Sequence, residues 1–228
     1  MTSRKVLIVD DEPQIRSILG YIVETTGREW VEAPSAEAAE ELLSSQEFAL
    51  IMLDVMLPGT SGVEWCRQVR ARSQIPIILL SALSEEDDRI RGLEAGADDY
   101  VTKPFSPREV ALRIEVLLKR TNPTNPFISL GRLKLDPASG KVTTPTSSIT
   151  LPATEARVLE TLLANIDATV SSATLLAAVW QTTETVGGRE MVRITIHRLR
   201  AHLKQAGLGA DIIETVRGIG YRVRNINL

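Results

Sequence analysis

The reading of this chain turns on Ile51-Met52-Leu53-Asp54-Val55-Met56-Leu57-Pro58-Gly59. Ile51 to Leu53 form an apolar run without a polar break, the pattern of a strand buried on both faces. Asp54 stands where that strand stops, and Pro58-Gly59 turns the chain away. A carboxylate at the end of a core strand is costly to bury. In open α/β sheets, the carboxyl ends of the strands are where function gathers. Taken alone, Asp54 reads as a residue capping a loop; its company elsewhere in the chain overturns that.

Working outward, the same pattern recurs. Val6-Leu7-Ile8-Val9 ends in Asp10-Asp11-Glu12. Pro13 suits a first helical turn, and Ile15, Ile18, Leu19, Ile22 and Val23 follow with helical spacing up to Gly27. A strand near 29–33 precedes a helix opened by Ser35, a good cap residue. The strand 49–53 precedes a helix from Ser61. The strand 76–80 precedes a helix near 86–94, closed by Gly96. A last strand near 99–101 precedes a helix over 107–119. Five strands alternating with five helices predict a five-stranded parallel, doubly wound, flavodoxin-like α/β sheet with helices on both faces.

Reading off the strand ends collects Asp10, Asp11, Asp54, Ser81 and Lys103, the last followed by Pro104. Three converging carboxylates repel one another unless a cation intervenes. Oxygen-only ligands favour a hard ion, Mg²⁺ foremost, with several waters kept. Beside a metal and a lysine, an ionised Asp54 is placed to attack a phosphoryl group and form an acyl phosphate. Ser81 adds a hydroxyl donor. An aspartyl-phosphate hydrolase of the haloacid dehalogenase type would need a second Asp two residues after the nucleophile, where this chain has Met56. A flavodoxin-like ligand module would need a glycine-rich loop after the first strand, where this chain has Asp10-Asp11-Glu12-Pro13.

Composition agrees with two domains. The 228 residues are 43% hydrophobic, enough for real cores. The net charge of −3 hides an asymmetry: residues 1–120 hold 14 Lys+Arg against 21 Asp+Glu, and residues 121–228 hold 12 against 8. An acidic half joined to a basic half implies different partners, with nucleic acid a candidate for the basic one. Cys66 is the only cysteine, so no internal disulfide forms and a reducing cytoplasm is expected. It falls between Val63 and Val69 on a predicted helix, a packing position. No apolar run approaches the ~20 residues of a membrane span, so no membrane is expected. Arg4-Lys5 leads straight into a strand, unlike a signal peptide.

Residues 121–126, Thr-Asn-Pro-Thr-Asn-Pro, read as a short, stiff linker. Alternation through Ile128, Leu130, Leu133, Leu135, Val142 and Ile149 predicts a small antiparallel sheet. Three helices follow, opening at Thr154-Glu155, at Ser171-Ser172 and near Arg189. Gln181–Gly188 is a polar loop before the third. In that helix Val192, Ile196, Leu199 and Leu203 make one apolar stripe. His197 and Arg198 then flank the centre of the opposite face, with Arg193 to one side and Arg200 at the margin. A helix apolar beneath and basic above suits the major groove of DNA. Residues 212–224 predict a hairpin whose tip carries Arg217, in reach of a minor groove.

These residues carry two resemblances. Asp10-Asp11, Asp54 with Pro58-Gly59, Ser81-Ala82 and Lys103-Pro104-Phe105 resemble the receiver domain of bacterial two-component response regulators over residues 4–120. Thr154-Glu155, Leu175-Leu176 before Trp180, Leu199-Arg200 and Thr215-Val216-Arg217-Gly218-Ile219-Gly220-Tyr221-Arg222 resemble the winged-helix effector domain of the OmpR/PhoB family over about 127–226. Arg193 departs from that family's usual Asp or Asn; its regulators of potassium uptake often carry Arg there.

The resemblance implies a receiver at 1–120, the linker 121–126, and an α+β winged-helix DNA-binding domain at 127–228. It implies that Asp54 accepts phosphate from a sensor histidine kinase. Asp11 and Asp54 would bind Mg²⁺ with the backbone carbonyl of Met56, assisted by Asp10. Ser81 and Lys103 would hold the phosphoryl oxygens, and Tyr100 would be the aromatic switch, although its position alone reads as a half-buried tyrosine on an edge strand. The protein would not be an enzyme beyond Mg²⁺-dependent self-phosphorylation and autodephosphorylation of Asp54. As a phosphorylation-activated transcriptional regulator it would bind double-stranded DNA at tandem half-sites and reach RNA polymerase through loop 181–188.

Phosphorylation would also drive a homodimer. There Arg89 would meet Glu109 of the partner subunit, Asp99 would meet Arg113 of the partner subunit, and Asp98 would meet Arg120 of the partner subunit. The charges of this face, residues 87–120, read otherwise as a solvated surface. A phosphate-independent regulator of the same family is the remaining alternative, and the intact acidic set argues against it.

Overall fold

The computed structural model describes residues 5–82, 86–118, 127–181 and 187–225. The chain divides into two compact units, Met1–Leu118 and Lys119–Leu228. The expected linker 121–126, Arg120 and most of the 181–188 loop lie outside the described residues.

The first unit runs β1 (Lys5–Val9), α1 (Pro13–Thr25), β2 (Trp30–Ala33), α2 (Ala36–Ser45), β3 (Phe48–Asp54), α3 (Gly62–Arg70), β4 (Ile77–Ser81), α4 (Glu86–Glu94), β5 (Asp99–Thr102) and α5 (Pro107–Leu118). The strands are all parallel, in the order β2-β1-β3-β4-β5. The apolar runs become strands because both sheet faces are covered. Val6, Ile8, Leu50, Met52, Ile78 and Leu80 pack under α1 and α5. Leu7, Val9, Ile51, Leu53, Ile77 and Leu79 pack under α2 and α3. Each such side chain contributes about 1.5–3 kcal/mol on burial. Ser35 and Ser61 cap their helices, accepting the Ala38 and Glu64 N–H groups at 3.3 Å each. The strand read as ending at Leu53 continues to Asp54, which pairs with Leu80 of β4.

The second unit opens with an antiparallel sheet of β6 (Ile128–Leu130), β7 (Leu133–Asp136), β8 (Lys141–Thr143) and β9 (Ser148–Thr150) in that order. Then come α6 (Ala153–Leu163), β10 (Val170–Ser171), α7 (Ser172–Trp180), α8 (Gly188–Gln205), β11 (Ile213–Val216) and β12 (Gly220–Val223). The hairpin β11-β12 forms as read, with Gly218 at φ +75° in its turn, a conformation that favours glycine. It gains a third strand, β10, along β12. The stripe Val192, Ile196, Leu199 and Leu203 is buried, and so are Met191, Ile194 and Thr195. The buried face of α8 is wider than the stripe because α6 and α7 both pack on it.

One glycine sets how closely α3 approaches the end of β3. A Cβ at Gly62 would stand 1.8 Å from the backbone oxygen of Asp54, far inside contact distance. The Gly62 N–H donates to the Val55 carbonyl at 3.0 Å, so helix start and strand end are joined there. Gly62→Ala should therefore destabilise the first unit by about 1–3 kcal/mol, read as a lower urea midpoint for its unfolding. A midpoint equal to wild type would mean that α3 shifts freely away from β3.

Candidate functional site

The chain leaves β1 towards β2 on one side while β3 lies on the other, which makes a switch point at their carboxyl ends. Asp10 and Asp11 follow β1, and Asp54 ends β3. One carboxylate oxygen of each lies within 4.8 Å of the others. Asp10 and Asp54 are buried and Asp11 is exposed. Lys103, from the turn after β5, donates its Nζ to Asp10 Oδ2 and Asp54 Oδ2, both at 2.8 Å. The remaining oxygens are also held. Asp10 Oδ1 accepts the Glu12 N–H at 2.9 Å, and Asp54 Oδ1 accepts the Met56 N–H at 3.1 Å. The Lys103–Pro104 peptide is cis, and the Lys103 N–H donates to the Ser81 carbonyl at 2.6 Å.

Burial pushes the Asp10 carboxyl above its usual range, against the opposing pull of Lys103 and the Glu12 N–H. Burial also works to lower Lys103, but its bonds to Asp10 and Asp54 outweigh it, so the ammonium is held. Lys103 bonds two of the three carboxylates, so the cluster of three holds more negative charge than this lysine balances. All-oxygen donors at this spacing fit a hard divalent cation.

Ser81 ends β4 and is buried. Tyr100 on β5 is buried too, although β5 is an edge strand, because α4 lies over it: a Cβ at Gly92 would come 3.3 Å from the ring. The Tyr100 hydroxyl is raised by burial and eased by a hydrogen bond with Ser81. The two expected switch residues therefore touch. Arg16 was missed by sequence reasoning. It lies near the start of α1, and its Nη1 donates to the carbonyls of Asp10 (2.8 Å) and Asp11 (3.1 Å).

The expectations for the charged face of α4, β5 and α5 need correcting. It is solvated only in part: Arg91 and Glu109 are exposed, but Arg89, Asp98, Asp99 and Arg113 are buried. Arg113 holds Asp99 at 2.6 Å and Glu109 at 2.8 Å within its own chain. Asp98 is held at 2.6 Å by Arg70, at the end of α3. Burial raises the Asp99 carboxyl, with Arg113 opposing. Close-packed helices and strands leave these carboxylates within reach of an arginine of the same chain, which a linear sequence does not reveal.

On α8, Arg193 and His197 are exposed. Arg193 pairs with Glu190, Nε to Oε1 at 2.8 Å. Arg198 corrects the helical-wheel reading. Instead of facing outward it reaches Glu155 of α6 at 3.2 Å, a carboxylate with no exposed surface. The His202 Nδ1 meets the other oxygen of Glu155 at 2.6 Å. A buried carboxylate draws in whatever cation can reach it. Arg200 also turns to the protein, donating to the Ile213 carbonyl at 2.6 Å and to Thr215 Oγ1 at 2.8 Å, which ties α8 to the hairpin. Arg217 is exposed at the hairpin tip.

The acid pocket yields a pH test. Because the folded chain raises Asp10, its ionisation opposes folding. The relative stability it contributes is present below the unfolded value, near 3.8, and is lost as pH rises through the folded value. Asp10→Asn should thus unfold at a higher urea concentration than wild type at pH 7 in metal-free buffer. The advantage should shrink as the pH falls towards 3.8. Equal midpoints at pH 7 would contradict the burial argument.

Comparison with known proteins places both units. Residues 6–115 match the response regulator receiver domain, and residues 146–223 match the domain described as transcriptional regulatory protein, C terminal. The chain is 40% identical over 227 residues to the phosphate regulon transcriptional regulatory protein PhoB of Pseudomonas aeruginosa, covering 97% of this chain and 98% of that one. It is 40% identical to the probable transcriptional regulator ycf27 of Cyanophora paradoxa, covering 99% and 98%. Among solved structures, the response regulator DrrB of Thermotoga maritima, an OmpR/PhoB homologue, is similar over 98% of this chain and all of its own, with 30% identity and a TM-score of 0.53. The receiver domain of the Francisella response regulator 1452 is similar over 52% of this chain and 99% of its own, with 34% identity and a TM-score of 0.50. With a receiver unit, a transcriptional-regulator unit and full-length likeness to PhoB, the chain belongs to the OmpR/PhoB family of two-component response regulators and is a phosphorylation-activated, DNA-binding transcriptional regulator.

Proposed function

We propose that Asp54 is the phosphoacceptor, and that a phosphoryl group transferred to it from a sensor histidine kinase promotes receiver dimerisation and binding to tandem DNA half-sites. The observation that carries this reading is the Lys103 bridge between Asp54 and Asp10 at the switch point of the sheet. Asp54 supplies the attacking oxygen. Its Oδ forms the new P–O bond while the P–N bond to the kinase histidine breaks, and the histidine leaves with its electron pair. With acetyl phosphate the bond broken is P–O, and acetate leaves. Lys103 offers its ammonium to the phosphoryl oxygens, and Ser81 its hydroxyl. Asp10, Asp11 and Asp54, with the Met56 carbonyl, would hold Mg²⁺, which when bound neutralises the phosphoryl oxygens. The same residues would serve autodephosphorylation by water. Tyr100 follows Ser81 as the switch.

The proposed domains are a receiver at 1–120, a linker at 121–126 and an effector at 127–228, in a cytoplasmic protein. Among the described residues, no helix is long and apolar enough to cross a membrane. Arg89, Asp98, Asp99, Glu109, Arg113 and Arg120 are assigned to the dimer face, whose intrachain pairs must then open to be shared. RNA polymerase is assigned to loop 181–188. In the effector, Arg193, His197 and Arg217 are the DNA contacts. Arg198 and Arg200 support them by fixing α8 and the hairpin.

Two experiments test this. Intact mass after incubation with acetyl phosphate and Mg²⁺ should show one added phosphoryl group in wild type and none in Asp54→Asn. Equal labelling of both would remove Asp54 from its role. In DNA titrations, Arg217→Ala should weaken binding and flatten the salt slope by about 1. Arg198→Ala should instead lower stability, by about 3 kcal/mol, because it leaves Glu155 buried and half paired. An Arg198→Ala protein as stable as wild type but with relaxed sequence preference would return Arg198 to the DNA face.

A further inference from the structure

We infer that Arg16 is a positioning residue for the cation site, acting through the backbone that carries Asp10 and Asp11. The inference rests on the reading of those carboxylates as Mg²⁺ ligands. The parallel ladders of β1 end at Val9, paired with Ala33 on one side and Leu53 on the other. Asp10 and Asp11 lie just beyond, where strand pairing no longer dictates the path of the chain. Arg16 supplies what the ladder does not. Its Nη1 donates to the Asp10 carbonyl at 2.8 Å and the Asp11 carbonyl at 3.1 Å. Its Nε donates to Glu32 Oε2 at 3.1 Å, on β2. The guanidinium side chain is only 11% exposed, so the fork is packed in place.

The geometry makes one planar cation brace two consecutive peptide carbonyls against the neighbouring strand. Orienting those peptides orients the Cα–Cβ bonds of both aspartates. The Asp10 N–H is fixed as well, donating to the Ala33 carbonyl at 3.2 Å. Together these bonds aim two carboxylates at Asp54 before any ion arrives. Partners behind metal ligands typically govern affinity by about 10–100-fold. A lysine would restore the charge but not the fork, since it is a point charge on a flexible stem.

The test is calorimetric titration of the full-length, unphosphorylated protein with MgCl₂. Wild type should bind, and Asp11→Ala should bind much more weakly. Arg16→Ala should raise the Mg²⁺ Kd about tenfold or more. Arg16→Lys should recover only part of that. Glu32→Gln leaves the arginine in place but loosens its anchor, and should shift the Kd in the same direction by less. Labelling of Arg16→Ala by acetyl phosphate should return to the wild-type rate at saturating Mg²⁺. A merely structural role would not produce that recovery. A Kd for Arg16→Ala within twofold of wild type, or full rescue by lysine, would overturn the inference. Wild type without Mg²⁺ binding would overturn the metal reading itself, and this inference with it.

Discussion

A single ammonium group between two buried carboxylates sets the terms for the first unit. Lys103 reaches Asp10 and Asp54 at 2.8 Å each, from a turn two strands away from β3 and three from β1. That meeting requires the carboxyl ends of β1, β3, β4 and β5 to stop at the same level. The registers deliver this: Val9 opposes Leu53, Asp54 opposes Leu80, and Ser81 opposes Thr102. A slip of one residue would turn the apolar set of a strand to the wrong face. The sheet's packing and the site's alignment are therefore one constraint. The cost of burying charge at the strand ends falls on the same residues whose chemistry needs that charge.

Much of this was legible because each device has a local pattern. Apolar runs marked the strands, serines marked the caps of α2, α3 and α7, and polar residues at successive strand ends marked the site. Tertiary placement of long side chains had no such pattern. Arg16 reads as an ordinary solvated helix residue until the ends of β1 and β2 are seen beside it. Arg198 reads as outward on a helical wheel, because the wheel does not know that Glu155 is buried. β10 was missed for another reason: two residues cannot show alternation, and Ser171 was already accounted for as the cap of α7.

The second unit resolves a conflict that basic helices face. A face rich in cations attracts nucleic acid, yet long cationic side chains spend entropy to stay ordered. α8 divides the work. Arg198 and His202 anchor to Glu155 on α6, and Arg200 anchors to the hairpin backbone and lies 6.0 Å from the centre of the Tyr221 ring. The helix is thus tied by polar bonds on both flanks of its apolar stripe, while Arg193 and His197 stay exposed. Rigid attachment of the helix holds its exposed groups in fixed positions, which the proposed DNA contacts of Arg193 and His197 would use.

The charged face of α4, β5 and α5 carries a related argument about energy. Asp98, Asp99 and Glu109 already have partners, so a symmetric dimer that used these three would exchange their ion pairs and not add to them. Exchanges of that kind yield little net free energy, since each new pair replaces one of similar quality. The pairs are not equally easy to exchange. Asp98 is held by Arg70 and by the Ile77 N–H at 3.0 Å, and Arg70 is itself bonded to the Gly96 carbonyl at 2.9 Å. Glu109, by contrast, is nearly half exposed while bonded to Arg113. Exchange would start at the Glu109–Arg113 end, with Asp98 the last to move. A near-balanced exchange is also easily biased. Tyr100 adjoins Asp99 in the chain and contacts Ser81 at the acid pocket, so a small movement there acts directly on the strand that carries the pairs.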